Sequence, residues 1–250
     1  MYRFLLQPKW IGFHLLVIAA IVTMVNLGMW QLRRLDERQA FNATVEARYD
    51  EPPVPLDDLL TDDTDPDDVE WRPVTALGTY LPDETITIVN RSQNGRAGMN
   101  MLVPMQLDDG RVLLVNRGFV PLSIETPPPV PATDVEILAR LRASQEKRLG
   151  QLSDPADGDL EIAQRVDIVR LAAQLPGEVV PMYVDLTESN PSETGGLPEP
   201  VATPVLGEGN HLSYAVQWLI FAAAVAVGWV LAVRRSIDTH RRAADRAAAE

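Results

Sequence analysis

From Trp10 to Leu32 the chain runs for 23 residues without a formal charge, and from Leu212 to Val233 it does so again for 22. A helix rises about 1.5 Å per residue, so either run reaches across the roughly 30 Å hydrocarbon core of a bilayer. Lys9 and Arg33 bound the first run, and Arg234 and Arg235 follow the second. A cleaved signal peptide is the competing reading of the first run. Such an h-region spans about 7 to 15 residues and closes on a small-residue cleavage site, whereas this run closes on Gly28-Met29-Trp30-Gln31-Leu32-Arg33-Arg34. Trp10 and Trp30 mark its ends, and Tyr214, Trp218 and Trp229 lie in the second run, as interfacial aromatic belts would have it. Two spanning helices, 10–32 and 212–233, are expected.

Their orientation follows from Lys and Arg near the span ends. Arg234, Arg235, Arg241, Arg242 and Arg246 follow the second span and place the tail 234–250 in the cytoplasm. The short segment 1–9, with Arg3 and Lys9, is then cytoplasmic too. Arg33 and Arg34 argue locally the other way, but long acidic domains cross largely regardless of charge. The expectation is a multi-pass protein with both termini in the cytoplasm and residues 33–211 outside it. Nine residues before the first span leave no room for a transit peptide in this sequence, so a bacterial cell membrane is the expected home.

Averages conceal the character of the part between. Residues 33–211 hold 15 Lys+Arg against 32 Asp+Glu, a net of −17, although the whole chain stands at −13. That balance excludes a nucleic-acid binder, which shows a basic patch. With no cysteine there is no disulfide, thiolate metal site or cysteine nucleophile.

Residues 33–49 space Leu35, Ala40, Phe41 and Val45 loosely as a helix that prolongs the first span, until Tyr49 and the prolines at 52, 53 and 55 end it. Eight acids fall within 57–70 without the spacing of a calcium loop, so a solvated acidic loop is expected. Strand composition follows at 74–80, 85–90, 100–107 and 111–120, punctuated by Pro82-Asp83, Asn94-Gly95 and Asp109-Gly110. A fifth strand is expected at 135–141, a short helix at 167–174 before Pro176-Gly177, and a sixth strand at 178–185. The fold class expected is an α+β membrane protein: two transmembrane helices flanking an extracytoplasmic antiparallel β-rich domain, a small sheet or partly open barrel with one packed helix. Residues 189–210, rich in Pro and Gly, read as a linker.

Catalytic motifs are missing: there is no Gly-x-Ser-x-Gly, His-Glu-x-x-His or P-loop, and no histidine between His14 and His211. A non-enzymatic role is therefore expected. His211, Tyr214, Ala215 and Trp218 share one helical face at i, i+3, i+4 and i+7, and Gly28, Gln31 and Arg34 cluster near the outer end of the first span. An imidazole with aromatics and arginines beside an apolar groove suits a haem iron, its macrocycle and its propionates. The same residues also serve as plain interfacial anchors. His14 lies roughly 25 Å from His211 at the helical rise, too far for both to ligate one haem.

Five motifs in order then carry a resemblance that covers nearly the whole chain: Gly28-Met29-Trp30-Gln31-Leu32-Arg33-Arg34; Arg72-Pro73-Val74 with Gly78; Gly98 to Pro104; Leu114-Val115-Asn116-Arg117-Gly118-Phe119-Val120-Pro121; and Asn210-His211-Leu212-Ser213-Tyr214-Ala215 with Trp218. The sequence resembles the surfeit locus protein 1 family of cytochrome c oxidase assembly factors. The resemblance implies haem a as cofactor, with His211 as the iron ligand. Tyr214, Trp218, Trp30 and Gln31 would line the ring, and Arg33 or Arg34 would meet a propionate. Implied partners are the cytochrome c oxidase subunits, above all the haem-bearing catalytic subunit, together with haem a synthase and the lipid bilayer. Gly78 and Gly118 read as positions where the backbone disfavours a side chain. Two other classes stay open: a permanent accessory subunit without haem, and a membrane-anchored extracytoplasmic enzyme.

Overall fold

In the computed structural model, which describes residues 3–61, 63–131, 133–193 and 195–247, the first apolar run lies within helix α1 (Pro8–Arg48). It continues without a break through the charged stretch after Arg33. Then come a short strand β1 (Val54–Pro55), two single helical turns α2 (Leu56–Leu59) and α3 (Pro66–Val69), and strands β2 (Pro73–Tyr80), β3 (Ile86–Gln93), β4 (Arg96–Leu107), β5 (Val112–Pro121) and β6 (Asp134–Ala143). A short strand β7 (Ile162–Ala163), helix α4 (Ile168–Ala172), strand β8 (Val179–Asn190) and helix α5 (His211–Ala247) complete the chain. Asp62 of the acidic stretch, Thr194 of the expected linker, Met1 and Tyr2 of the N-terminal segment and residues 248–250 of the tail lie outside the described residues. The chain divides into two compact units, residues 44–205 and the helical residues 1–43 with 206–250.

Turn chemistry sets the hairpins of the first unit. Asn94 and Gly95 both take positive φ, 52° and 75°, as a two-residue hairpin requires, and join β3 to β4. Gly110, at φ 88°, turns β4 into β5, and the Asp109 carboxylate accepts the Arg111 N–H at 2.9 Å.

Five strands close on themselves in the order β2, β6, β8, β5, β4 and back to β2. The domain is thus a closed five-stranded barrel rather than the partly open one expected, and it is not purely antiparallel, because β5 and β8 run parallel. The chain leaves β6, makes the long excursion 144–178 through β7 and α4, and returns as β8 between β6 and β5; a connection of that length permits a parallel pair. Closure depends on β4 changing neighbours: its first half pairs with β3, and Met105 to Leu107 pair with Tyr80 to Gly78 of β2. At that seam a Cβ on Gly78 would collide with the Gln106 carbonyl, so glycine is what lets β2 approach.

The barrel is filled from all five strands, by Val74, Val103, Met105, Leu113, Val115, Ile137, Leu141, Met182 and Val184 among others. All ten residues of β5 are buried. Its inward side chains Leu113 and Val115 lie in the barrel, while Val112 and Leu114 lie under a second cluster with Leu160, Val166, Ile168 and Leu171. Burial on both faces explains why this strand reads as a continuous apolar run. Leu141→Ala removes a fully buried side chain and is expected to cost about 2–5 kcal/mol, read as a lower urea midpoint of the full chain in detergent.

Two stretches that read as loops are tied down. In the acidic stretch Leu56, Leu60 and Val69 join the barrel core while Asp57, Asp58, Asp63, Asp65, Asp67 and Asp68 are exposed. Asp65 caps α3 by accepting the Asp67 N–H at 3.0 Å, and Arg111 holds Asp57. In the Pro/Gly stretch, Phe119 and Glu199 exchange both backbone hydrogen bonds, at 2.7 and 2.8 Å. Arg96 reaches the Glu199 carboxylate at 2.5 Å, and Gln93 holds the Pro200 carbonyl and the Ala202 N–H. The stretch is a strap on the barrel because β5 past Asn116 has lost β8 as a neighbour and offers its backbone to Glu199.

Candidate functional site

The helical unit is an antiparallel pair, as its contacts run in opposite directions along the two helices. Phe4 stacks on His240 at 3.9 Å, Trp229 Nε1 donates to His14 Nδ1 at 2.9 Å, Gly28 meets Ala215 and Leu219, and Gln31 meets His211. Beyond these, Arg38 donates to the Gly207 carbonyl at 2.9 Å and Gln39 to Glu208 at 2.8 Å. Both helices are long and apolar enough to cross a membrane, and little of their apolar surface is buried, 11% and 6% of the most apolar stretch. So low a burial separates them from the core helices of a soluble domain, which are covered by protein.

The small residues fix the register. Gly28 is buried, and a Cβ there would stand 3.4 Å from the Leu219 side chain and 3.5 Å from the Ala215 carbonyl; Ala215 is buried in turn. One turn further out on each helix, the half-buried His211 sets its Nδ1 2.8 Å from Gln31 Oε1. The amide oxygen accepts only, so Nδ1 carries a proton, and in the neutral ring Nε2 keeps its lone pair. On that side of the ring stands Gly209, whose absent Cβ would lie 3.5 and 3.6 Å from His211 Cδ2 and Nε2.

Of the other residues singled out from the sequence, Tyr214 and Trp218 lie on the same flank of α5 as His211. Tyr214 is 49% exposed, and Trp218 packs edge-on to Phe221 at 6.1 Å. Phe221 extends that aromatic stripe and escaped the sequence reading because the motif containing His211 stops at Trp218. Trp30 and Arg33 sit about 130° and 170° around α1 from the contact side, at 100° per residue, so the structure does not bring them to His211. Arg34 lies nearer, about 90° from the contact side, and pairs with Glu37 at 2.6 Å. His14 is held by Trp229 at the far end of the helix pair.

The barrel domain carries a polar cluster of its own. Asn116 donates to Asp185 at 2.7 Å, and Arg142 bridges Asp185 at 2.9 Å and Glu70 at 3.2 Å while lying 3.7 Å over the Trp71 ring. Burial pushes the Asp185 carboxyl up, against the pull of Arg142. Arg140 lies 3.7 Å over Tyr49 and donates to Thr187. Tyr49, Trp71, Arg140, Arg142, Asp185 and Thr187 line a cleft of about 290 Å³. The cations of this cleft are largely answered by their own neighbours, and its geometry is that of a structural network. Among the described residues no group of three or more His, Asp or Glu side chains is placed to hold a bare metal ion.

Fold and site together define a chain in which a closed barrel domain is flanked in sequence by two helices fit to cross a membrane, with His211 at the first residue of the second helix. The model of the SURF1 family matches residues 18–223. The chain belongs to the SURF1 family, known in general as cytochrome oxidase assembly factors. A SURF1-like protein of Mycobacterium tuberculosis is 32% identical over 96% of this chain and 89% of its own length. A SURF1-like protein of Monosiga brevicollis is 28% identical over 90% and 88%, and surfeit locus protein 1 of Xenopus tropicalis is 25% identical over 88% and 74%.

Proposed function

We propose that this chain is a non-catalytic assembly factor for haem-copper cytochrome c oxidase that holds haem a beside its helix pair and delivers it to the catalytic subunit. The observation that carries the reading is the imidazole of His211, whose Nδ1 is engaged by Gln31 and whose Nε2 makes no hydrogen bond among the described residues. A haem iron is held largely by its own macrocycle, so a single imidazole without companion protein ligands would suffice to hold it. When bound, haem a brings the redox iron and macrocycle that the oxidase requires; the protein breaks no bond of it. His211 would hold the iron, the stripe Tyr214, Trp218 and Phe221 would shield the ring from lipid and water, and Arg34 is the arginine of the two best placed to turn towards a propionate. One protein ligand holds its cargo less firmly than a closed bis-histidine site, which suits a carrier.

In this reading both termini lie in the cytoplasm of a bacterial cell and the barrel outside its membrane, an orientation that the five arginines after the second span support. The acidic surface of the barrel, from a segment of net −17, biases the docking partner towards a basic patch on the oxidase. Haem a synthase would be the source of the cargo.

The test is the visible spectrum of the full chain purified in detergent from a haem-a-producing host. Wild type is expected to carry a haem spectrum and His211→Ala to lose most of it. A colourless wild type, copurifying in fixed ratio with mature oxidase, would replace the carrier by an accessory subunit.

A further inference from the structure

We infer that Gln31 is the positioning residue of this site: its amide oxygen locks His211 as the Nδ1–H tautomer and, being neutral, sets the strength of the Nε2 donor low enough for release. The geometric half of the inference stands on the helix pair alone; its consequence for haem rests on the reading above. The 2.8 Å contact joins residues 180 positions apart, and both partners are half-buried, so the ring has little freedom to turn away. Its placement follows from packing. Gly28, three residues before Gln31, lies against Ala215 and Leu219, and Ala215 is four residues after His211, so the close approach of the helices aims the amide at the imidazole.

The orientation of that amide decides the chemistry. With Oε1 towards the ring, Nδ1–H donates and, in the neutral ring, Nε2 is an acceptor on the edge beside Gly209. With the amide turned over, its NH2 would donate to Nδ1, the proton would move to Nε2 and the ligand lone pair would be lost. A hydrogen-bond acceptor behind a ligating imidazole raises its basicity, and a carboxylate does so far more than an amide. Glutamine therefore fixes direction without creating imidazolate character.

The experiment uses 15N-histidine-labelled full chain in detergent, with wild type, Gln31→Leu and Gln31→Glu compared and far-UV circular dichroism checking the helices. His14→Gln and His240→Gln variants assign the resonances, since the chain holds three histidines. Wild-type His211 is expected as the Nδ1–H tautomer, with Gln31→Leu giving a mixture. With haem a, Gln31→Leu should lose about 10–100-fold in affinity. Gln31→Glu should restore the affinity, lower the reduction potential and slow transfer to an acceptor protein such as apomyoglobin. A wild-type Nε2–H tautomer, or a Gln31→Leu protein that matches wild type in tautomer, affinity and potential, overturns the inference. If wild type holds no haem yet shows the Nδ1–H tautomer that Gln31→Leu loses, the positioning role stands and the haem reading falls.

Discussion

Gly118→Val is expected to detach the strap from the barrel and cost about 4 kcal/mol or more, at the upper end of what single substitutions do. Gly118 sits at φ +133°, where side chains are disfavoured, and a Cβ there would run into the Glu199 carbonyl. That carbonyl accepts the Phe119 N–H at 2.7 Å and has no room to retreat while Arg96 holds its carboxylate. Relief therefore means opening the Phe119–Glu199 bridge, which frees the strap and uncovers Phe119, 1% exposed in the folded protein. Gly95→Val is the control. It also sits at positive φ, +75°, but nothing lies within 4 Å of its Cβ position, so it carries only the backbone strain of about 1–3 kcal/mol. Urea midpoints of the two variants separate the terms, and equal losses would mean that the strap contributes nothing to the domain.

Sequence and structure part company at the two stretches that looked unstructured. The strands were legible because their apolar residues alternate or run together between turn residues with one conformational meaning, as at Asn94-Gly95 and Asp109-Gly110. Local signals of this kind cannot say whether β2 meets β4. That contact joins Gly78 to Leu107 across the molecule, and the glycine that permits it looks in the sequence like any other glycine in a strand. The strap was illegible for a related reason. Proline and glycine mark a segment that forms no ladder of its own, and such a segment can still be fastened by single contacts such as Glu199 with Arg96 and Gln93 with Ala202. Only the partners, more than 100 positions away, reveal them.

The site was more legible than the domain. Helical spacing put His211, Tyr214 and Trp218 on one face, and Gln31 was singled out on the other wall, because two apolar helices with few polar residues leave few ways to pair those residues. Spacing on one helix did not say which side faces the other. Gly28 and Ala215 decide that, and they leave Trp30 and Arg33 on the outside.

Glu193→Ala is expected to cost about 3–5 kcal/mol, although Glu193 lies in the strap and far from any strand centre in sequence. Its carboxylate holds Arg117 through both Nε, at 2.8 Å, and Nη2, and the Arg117 side chain is 0% exposed. Among the described residues that guanidinium also has the Pro129 carbonyl, 3.1 Å from Nη2, and the face of the Tyr80 ring at 5.7 Å, while Nη1 has no hydrogen-bond partner. Burial pushes the Tyr80 hydroxyl well above its ordinary range, so it brings no negative charge to the site. Without Glu193 a full charge would stand in the protein with only dipoles to answer it. The double variant Arg117→Met, Glu193→Leu removes both charges at similar volume and is expected to recover most of the loss, since apolar replacement of a buried pair is often near neutral. Urea midpoints of the two single variants and the double variant close a cycle. A coupling under about 1 kcal/mol would mean that Arg117 is neutralised by something other than Glu193, and a double variant as unstable as Glu193→Ala would mean that the strap needs this pair for its placement rather than for its charge balance.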